Sequence, residues 1–110
     1  MSTRKKGVRS VSKPRYIWWG YVKAAIHACG NPRSPKHSAM SEGAITAYER
    51  MAASLPEARR QLMLMVLVRR THTLAGAALK LHISEPTAQR WHRSIIMAMA
   101  RELKIDTQKP

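Results

Sequence analysis

Apolar side chains recur every three or four positions along most of this chain, which predicts helices and no strands. The clearest case runs from Thr73 to Lys104. Leu74, Ala78 and Leu81 follow i, i+4, i+7 spacing, then Leu81-His82-Ile83-Ser84 breaks the pattern, then Ala88, Trp91, Ile95, Met99 and Leu103 resume it. Two helices that cross closely need a small residue at the contact, and Ala77 or Ala78 provides one. The turn needs a residue that tolerates a left-handed backbone. His82 stands where glycine is usual, and histidine is among the non-glycine residues enriched there. Ile83 is placed to plug the corner, Ser84 to cap the next helix, and Glu85 and Pro86 suit a first helical turn. These features predict a helix-turn-helix over about residues 73–104. An ordinary helical hairpin with solvated charges is the simpler alternative.

Upstream, Leu55-Pro56-Glu57 restarts the chain as a helix that continues to about Arg70. Its LMLMVLV run must be buried on more than one side, which makes it the expected central helix of the core. Residues 15–29 carry a helical pattern ended by Gly30 and Pro32, with Trp18, Val22, Ala25 or Ile26, and Cys29 inward. Residues 31–40 read as a surface loop. A further helix starts near Ser38 or Ser41 and runs to Ser54, with Ile45, Tyr48 or Met51, and Ala52 inward. Glu42 and Glu49 on it are charges on a wet face, since no third ligand accompanies them. Residues 1–13 contain nothing to bury and are expected to form a flexible basic arm. The short polar tail after Lys104 is expected to fray. The expected fold is therefore all-α: a single domain of four to five helices over residues 14–110, with a C-terminal helix-turn-helix behind a flexible basic N-terminal arm.

Charge narrows the class of partner. The chain of 110 residues holds 20 Lys+Arg against 6 Asp+Glu, a net charge of +14. Residues 1–40 contain nine Lys or Arg and no acid, so the positive field is concentrated at that end. Such an excess implies a polyanionic partner, most often nucleic acid and less often an acidic membrane surface. The longest apolar run, Leu62 to Val68, is far short of a membrane span. The basic N-terminal segment has no apolar stretch before a cleavage site and does not read as a signal peptide. Cys29 is the single cysteine, so no intramolecular disulfide forms and a reducing cytoplasm is the natural setting.

Enzyme chemistries find little support. His72, His82 and His92 are spaced ten residues apart, which matches no common zinc pattern, and the thiolate pair such sites use is missing. Ser84 near His82 or His92 is better used as a cap than as a nucleophile. The five glycines are dispersed and form no phosphate loop. No metal, no cofactor and no enzymatic activity are expected.

Binding residues are easier to assign. The outward face of the second helix of the predicted unit, Ser84, Glu85, Pro86, Thr87, Gln89, Arg90 and Arg93, forms the candidate base-reading set. Arg and Gln can pair bidentately with guanine and adenine edges in a major groove. Arg4, Lys5, Lys6, Arg9 and Lys13 of the arm, Arg69, Arg70 and His72 at the entrance to the unit, and Lys80 are candidates for the DNA backbone. The arm reads equally well as a solubilising tail, and the Arg69 cluster as a favourable charge at a helix C-terminus. Tyr16, Trp19 and Tyr21, together with Ile96, Met97 and Met99, are candidates for a protein-partner surface. The last three leave a homodimer open, although packing on the central helix would use them too. Aromatics beside cations also suit stacking on single-stranded nucleic acid, so non-specific RNA binding stays a third reading.

These stretches resemble known proteins. LPEARRQLMLMVLVRR, TLAGAALKLHIS and EPTAQRWHRSI, from Leu55 to about Leu103, resemble region 4 of bacterial sigma factors and the regulators that share its helix-turn-helix. With the YIWWGYVKAAI and SEGAITAYERM helices included, the layout is similar to small phage-encoded transcriptional regulators of the RinA type, related to late-gene activators and antiterminators. The resemblance implies a cytoplasmic, non-enzymatic protein that binds promoter double-stranded DNA through Glu85 to about Arg93 and touches RNA polymerase. Two departures stand out: His82 replaces the customary turn glycine, and Glu85 puts an acid near the DNA, where it would select cytosine or merely cap the helix. The first forty residues have no counterpart in a bare sigma region 4.

Overall fold

Hydroxyl and proline residues set where all but the first of the described helices begin. The computed structural model describes residues 16–105, so the expected arm over residues 1–13 and the tail after Ile105 lie outside the described residues. Within them are six α-helices and one π-helical segment, and no strand. The helices are α1 (Trp19–Cys29), α2 (Pro35–Ser38), α3 (Glu42–Ser54), α4 (Glu57–Met63), α5 (Leu74–Leu81) and α6 (Glu85–Glu102), with the π-helical turn Leu64–Val68 continuing α4.

Ser34, Ser41, Thr73 and Ser84 each accept a hydrogen bond from an amide in the first turn of α2, α3, α5 and α6. Each such cap contributes about 1 kcal/mol. Pro56 occupies the cap position of α4, as the Leu55-Pro56-Glu57 restart predicts. The turn between α3 and α4 is tied by Arg60. Its Nε donates to the Ala52 carbonyl at 3.2 Å, Nη2 to the Leu55 carbonyl at 2.9 Å, and Nη1 to Glu57 Oε1 at 2.9 Å.

The long apolar helix from Glu57 ends differently from the expectation. Arg69 N–H bonds to the Leu64 carbonyl at 2.8 Å, and Thr71 N–H reaches the Met65 carbonyl at 2.9 Å, so the last turn is wound wide. The extra width helps Met65, Leu67 and Val68 all to be buried, which a strict 3.6-residue period would not favour. Arg70 stops this turn in a left-handed conformation, φ 58°.

The hub of the core is α6, and not the α4 helix expected for that role. Helix α6 packs against α1, α3, α4 and α5, while α4 and its π extension contact α1, α5 and α6. Ala88, Ile95, Ile96, Met99 and Ala100 are all fully buried along one side of α6. Its length lets a single apolar side touch more elements than the shorter α4 can. The 31–40 loop is also refined, since Ser34 and Pro35 nucleate the short α2 within it. On α3 the innermost residues are Ala44, Ala47 and Met51, with Ile45, Tyr48 and Ala52 half-buried. Two alanines allow α3 to lie close to its neighbours, so its buried face is turned by about one position from the expected one.

The C-terminus of α1 meets the π turn at an unusually close approach. His27 Nδ1 lies 2.9 Å and Asn31 Nδ2 lies 3.0 Å from the Val68 carbonyl, one of the carbonyls that a helix end leaves unpaired. Gly30 sits at this contact with an ordinary φ of −81°, so backbone strain does not explain it. A Cβ there would come within 2.7 and 2.8 Å of the two Val68 methyls and 3.0 Å of the Tyr48 hydroxyl. Val68 is buried and branched and has nowhere to move. Gly30→Ala is expected to cost about 1–3 kcal/mol of stability by overpacking, read as a lower midpoint in chemical denaturation. An unchanged midpoint would show that the α1–π contact is loose.

Candidate nucleic-acid interface

The face best suited to an anionic partner is built by α5, the turn at His82 and the first half of α6. Thr73 Oγ1 accepts from Gly76 N–H at 3.0 Å and fixes the start of α5. Ala77 and Ala78 are the buried residues of α5, whereas Leu74 and Leu81 are half-buried, so the two alanines form the centre of its inner face. At the far end His82 adopts φ 59° and ψ 42°, the left-handed conformation expected of it. Two hydrogen bonds close the helix around it: Ile83 N–H to the Ala78 carbonyl at 3.0 Å and His82 N–H to the Leu79 carbonyl at 3.3 Å. Ile83 packs half-buried against the core, and Ser84 starts α6 directly afterwards.

Helix α6 thus has two unlike sides. Ala88, Ile95, Ile96, Met99 and Ala100 lock one side into the core, at about 1.5–3 kcal/mol for each large side chain. On the other side Glu85, Pro86, Gln89, Arg90 and Arg93 are exposed. Thr87 is half-buried, and its Oγ1 accepts from both Ser84 Oγ at 2.9 Å and Arg90 Nη2 at 3.0 Å. The Ser84 hydroxyl also accepts from Thr87 N–H, so it is committed to the cap. Arg93 lies with its guanidinium carbon 5.9 Å from the centre of the Tyr16 ring.

Of the candidate backbone contacts, Arg69, Arg70 and Lys80 are exposed and His72 is half-buried with Nδ1 2.9 Å from Thr71 Oγ1. Arg4, Lys5, Lys6, Arg9 and Lys13 lie outside the described residues. Arg60 and Glu57 form the one ion pair among the described residues. Among the described residues, the exposed cations of α5, of α6 and just after the π turn form no ion pair with an acid, which leaves their field directed at solvent.

No family model, curated protein or solved structure matches this chain. Among the described residues no three His, Cys, Asp or Glu side chains gather where a metal ion could be held. No described helix is long and apolar enough to cross a membrane.

The candidate partner surface is only partly available. Ile96 and Met99 are fully buried beneath the helices packed on α6, so neither can meet a partner or a second copy. Met97 is half-buried. At the other end Tyr16 and Trp19 are half-buried and Tyr21 is exposed. Tyr16 stacks on Trp18 with ring centres 4.7 Å apart, and Trp19 lies 6.4 Å from His92. The aromatic start of α1 thus leans on α6, where sequence spacing alone made it a separate surface.

Sequence reasoning gave Arg59 no role and weighed His92 only as a metal ligand or as a base beside Ser84. Arg59 of α4 places its guanidinium 5.2 Å over the Trp91 ring, while its Nε is buried without a hydrogen-bond partner. His92 follows Trp91 and lies four positions after Ala88, so the helical phase that flagged Ala88 and Ile95 could have flagged it. Burial first, and the charge of Lys23 second, push the His92 pKa down from 6.5 to about 4. The unfolded chain then binds this proton more readily than the folded one. The contribution of His92 to stability is complete above about pH 6.5 and is lost as the pH falls towards 4. Urea unfolding followed across that range should show wild-type stability declining with acid more steeply than that of His92→Gln. Parallel declines would mean that His92 is solvated and titrates normally.

Proposed function

We propose that this protein is a sequence-specific regulator of transcription that binds double-stranded DNA, with α5 and α6 as a helix-turn-helix and the outward side of α6 as its recognition surface. The observation that carries this reading is the division of α6: one side is fixed in the core and the other presents Gln89, Arg90 and Arg93 to solvent just beyond a capped, left-handed turn. A helix held rigidly by its buried half can enter a groove without reorganising, and its Arg and Gln side chains match guanine and adenine edges. Glu85 stands in the first turn, where it complements the helix dipole and can accept from a cytosine amino group. Arg69, Arg70 and Lys80 supply phosphate contacts, and the bases of residues 1–13 add affinity without sequence preference. No cofactor and no catalysis enter this role, and its setting is the bacterial cytoplasm, in line with the resemblance to phage-encoded regulators.

A second reading is favoured by the exposed apolar residues at the start of α1. Ile17, just before α1, is 89 % exposed and Tyr21, in its first turn, 58 % exposed. They suit docking on a protein, for which the resemblance suggests RNA polymerase, with DNA as a secondary contact. Retention on core RNA polymerase at high salt, lost in an Ile17→Ser, Tyr21→Ser variant, is the result this reading requires.

For the first reading, duplexes selected from a random pool at about physiological salt should converge on a motif. Replacing Arg90 and Arg93 by Ala should relax that motif, at about 1–3 kcal/mol per lost bidentate contact. Neutralising Arg4, Lys5 and Lys6 should leave the motif intact and flatten the salt dependence by about one slope unit per lost phosphate contact. A pool that stays random, or equal losses on every sequence from both variants, would refute sequence-specific binding.

A further inference from the structure

We propose that Tyr16 is a positioning residue that holds Arg93 for a guanine edge, so that the aromatic start of α1 belongs to the DNA-reading surface. This rests on the reading of α6 as a recognition helix. Four observations support it.

The Arg93 guanidinium carbon lies 5.9 Å from the Tyr16 ring centre, within the range over which a ring face attracts a cation. Among the described residues Arg93 pairs with no acid, since the one ion pair there is between Arg60 and Glu57. The Tyr16 ring is itself held: it stacks on Trp18 at 4.7 Å with planes 23° apart and lies 6.3 Å from Trp19 at 19°. Trp19 in turn contacts His92, the neighbour of Arg93 on α6. A chain of rings therefore runs from α1 to α6 and ends at the one exposed arginine of the recognition side that no hydroxyl restrains. Arg90 is steadied by Thr87 Oγ1, and Tyr16 gives Arg93 the equivalent support.

The physical gain is in entropy. A free arginine side chain has about 2 kcal/mol of rotamer freedom to lose on ordering, and a guanidinium already confined against a ring loses less of it on binding. A guanidinium drawn to a ring by its charge does not spend its N–H donors on a hydrogen bond there, and those donors match guanine O6 and N7. Lysine would keep the charge and lose this geometry.

The test compares Tyr16→Phe, Tyr16→Leu, Tyr16→Ala and Arg93→Ala by selection of bound duplexes from a random pool and by binding to the selected duplex. Thermal unfolding of each variant separates folding defects from binding defects, and Tyr16→Leu keeps apolar bulk if Tyr16→Ala folds poorly. Arg93→Ala should abolish preference for guanine at one position of the motif. Tyr16→Leu and Tyr16→Ala should weaken preference at that same position by about two- to fivefold, the range for an exposed cation–π contact. Tyr16→Phe should retain it, and Tyr16→Ala should add nothing to Arg93→Ala. Preference preserved in folded Tyr16→Leu, or lost uniformly across the motif, overturns the inference while leaving α6 as the reader. If the wild type enriches no motif, the reading of α6 fails and this inference fails with it.

Discussion

Burial of one side of α6 is the constraint on which the rest of the structure depends. Ile95, Ile96 and Met99 have no exposed surface, and helices α1, α3, α4 and α5 all pack on this one element. The energetic consequence is that α6 cannot rotate about its axis without uncovering several large apolar side chains at once. The functional consequence follows from geometry. Since the buried side is fixed, the direction in which Gln89, Arg90 and Arg93 leave the helix is fixed as well, which is the orientation the proposed reading of DNA requires before a ligand is met.

The turn before α6 does similar work at smaller scale. Among the described residues three helical segments end at a left-handed residue, Arg70, His82 and Lys104, and none of these is glycine. Around Lys104 the pattern of His82 is repeated: Ile105 N–H bonds to the Ala100 carbonyl at 2.9 Å and Lys104 N–H to the Arg101 carbonyl at 3.0 Å. A non-glycine residue in this conformation costs roughly 1–2 kcal/mol, offset at His82 and Lys104 by pairing two otherwise free carbonyls and at Arg70 and Lys104 by a positive charge at the negative end of the helix dipole. A chain this basic therefore uses cations both to end its helices and to present charge.

Much of this was legible in the sequence wherever a single residue decides a local event. Ser41, Pro56 and Ser84 mark helix starts because caps act within one turn, and His82 is recognisable because the turn leaves few alternatives. What was not legible depends on packing between elements. The LMLMVLV run is apolar at every position, so it has no phase from which to read the π turn at Leu64–Val68. Ile96 falls outside the stripe that runs through Ile95 and Met99, looks spare on a helix counted alone and proves to be fully buried, because four helices surround α6. The link from Tyr16 to Arg93 joins residues at opposite ends of the chain, and no periodicity encodes it. The outward set Glu85, Pro86, Gln89, Arg90 and Arg93 was legible as a face, since 3.6-residue spacing alone separates it from Ala88 and Ile95.

The most direct test of whether this fixed outward face is the one that meets DNA is an NMR titration of the isotope-labelled protein with a selected duplex at about physiological salt. The expected result is that the largest shifts fall on Glu85, Gln89, Arg90 and Arg93 and on the turn at His82, with the buried Ile95, Ile96 and Met99 methyls nearly unchanged. Shifts confined to Ile17 and α1, with the first half of α6 silent, would contradict it.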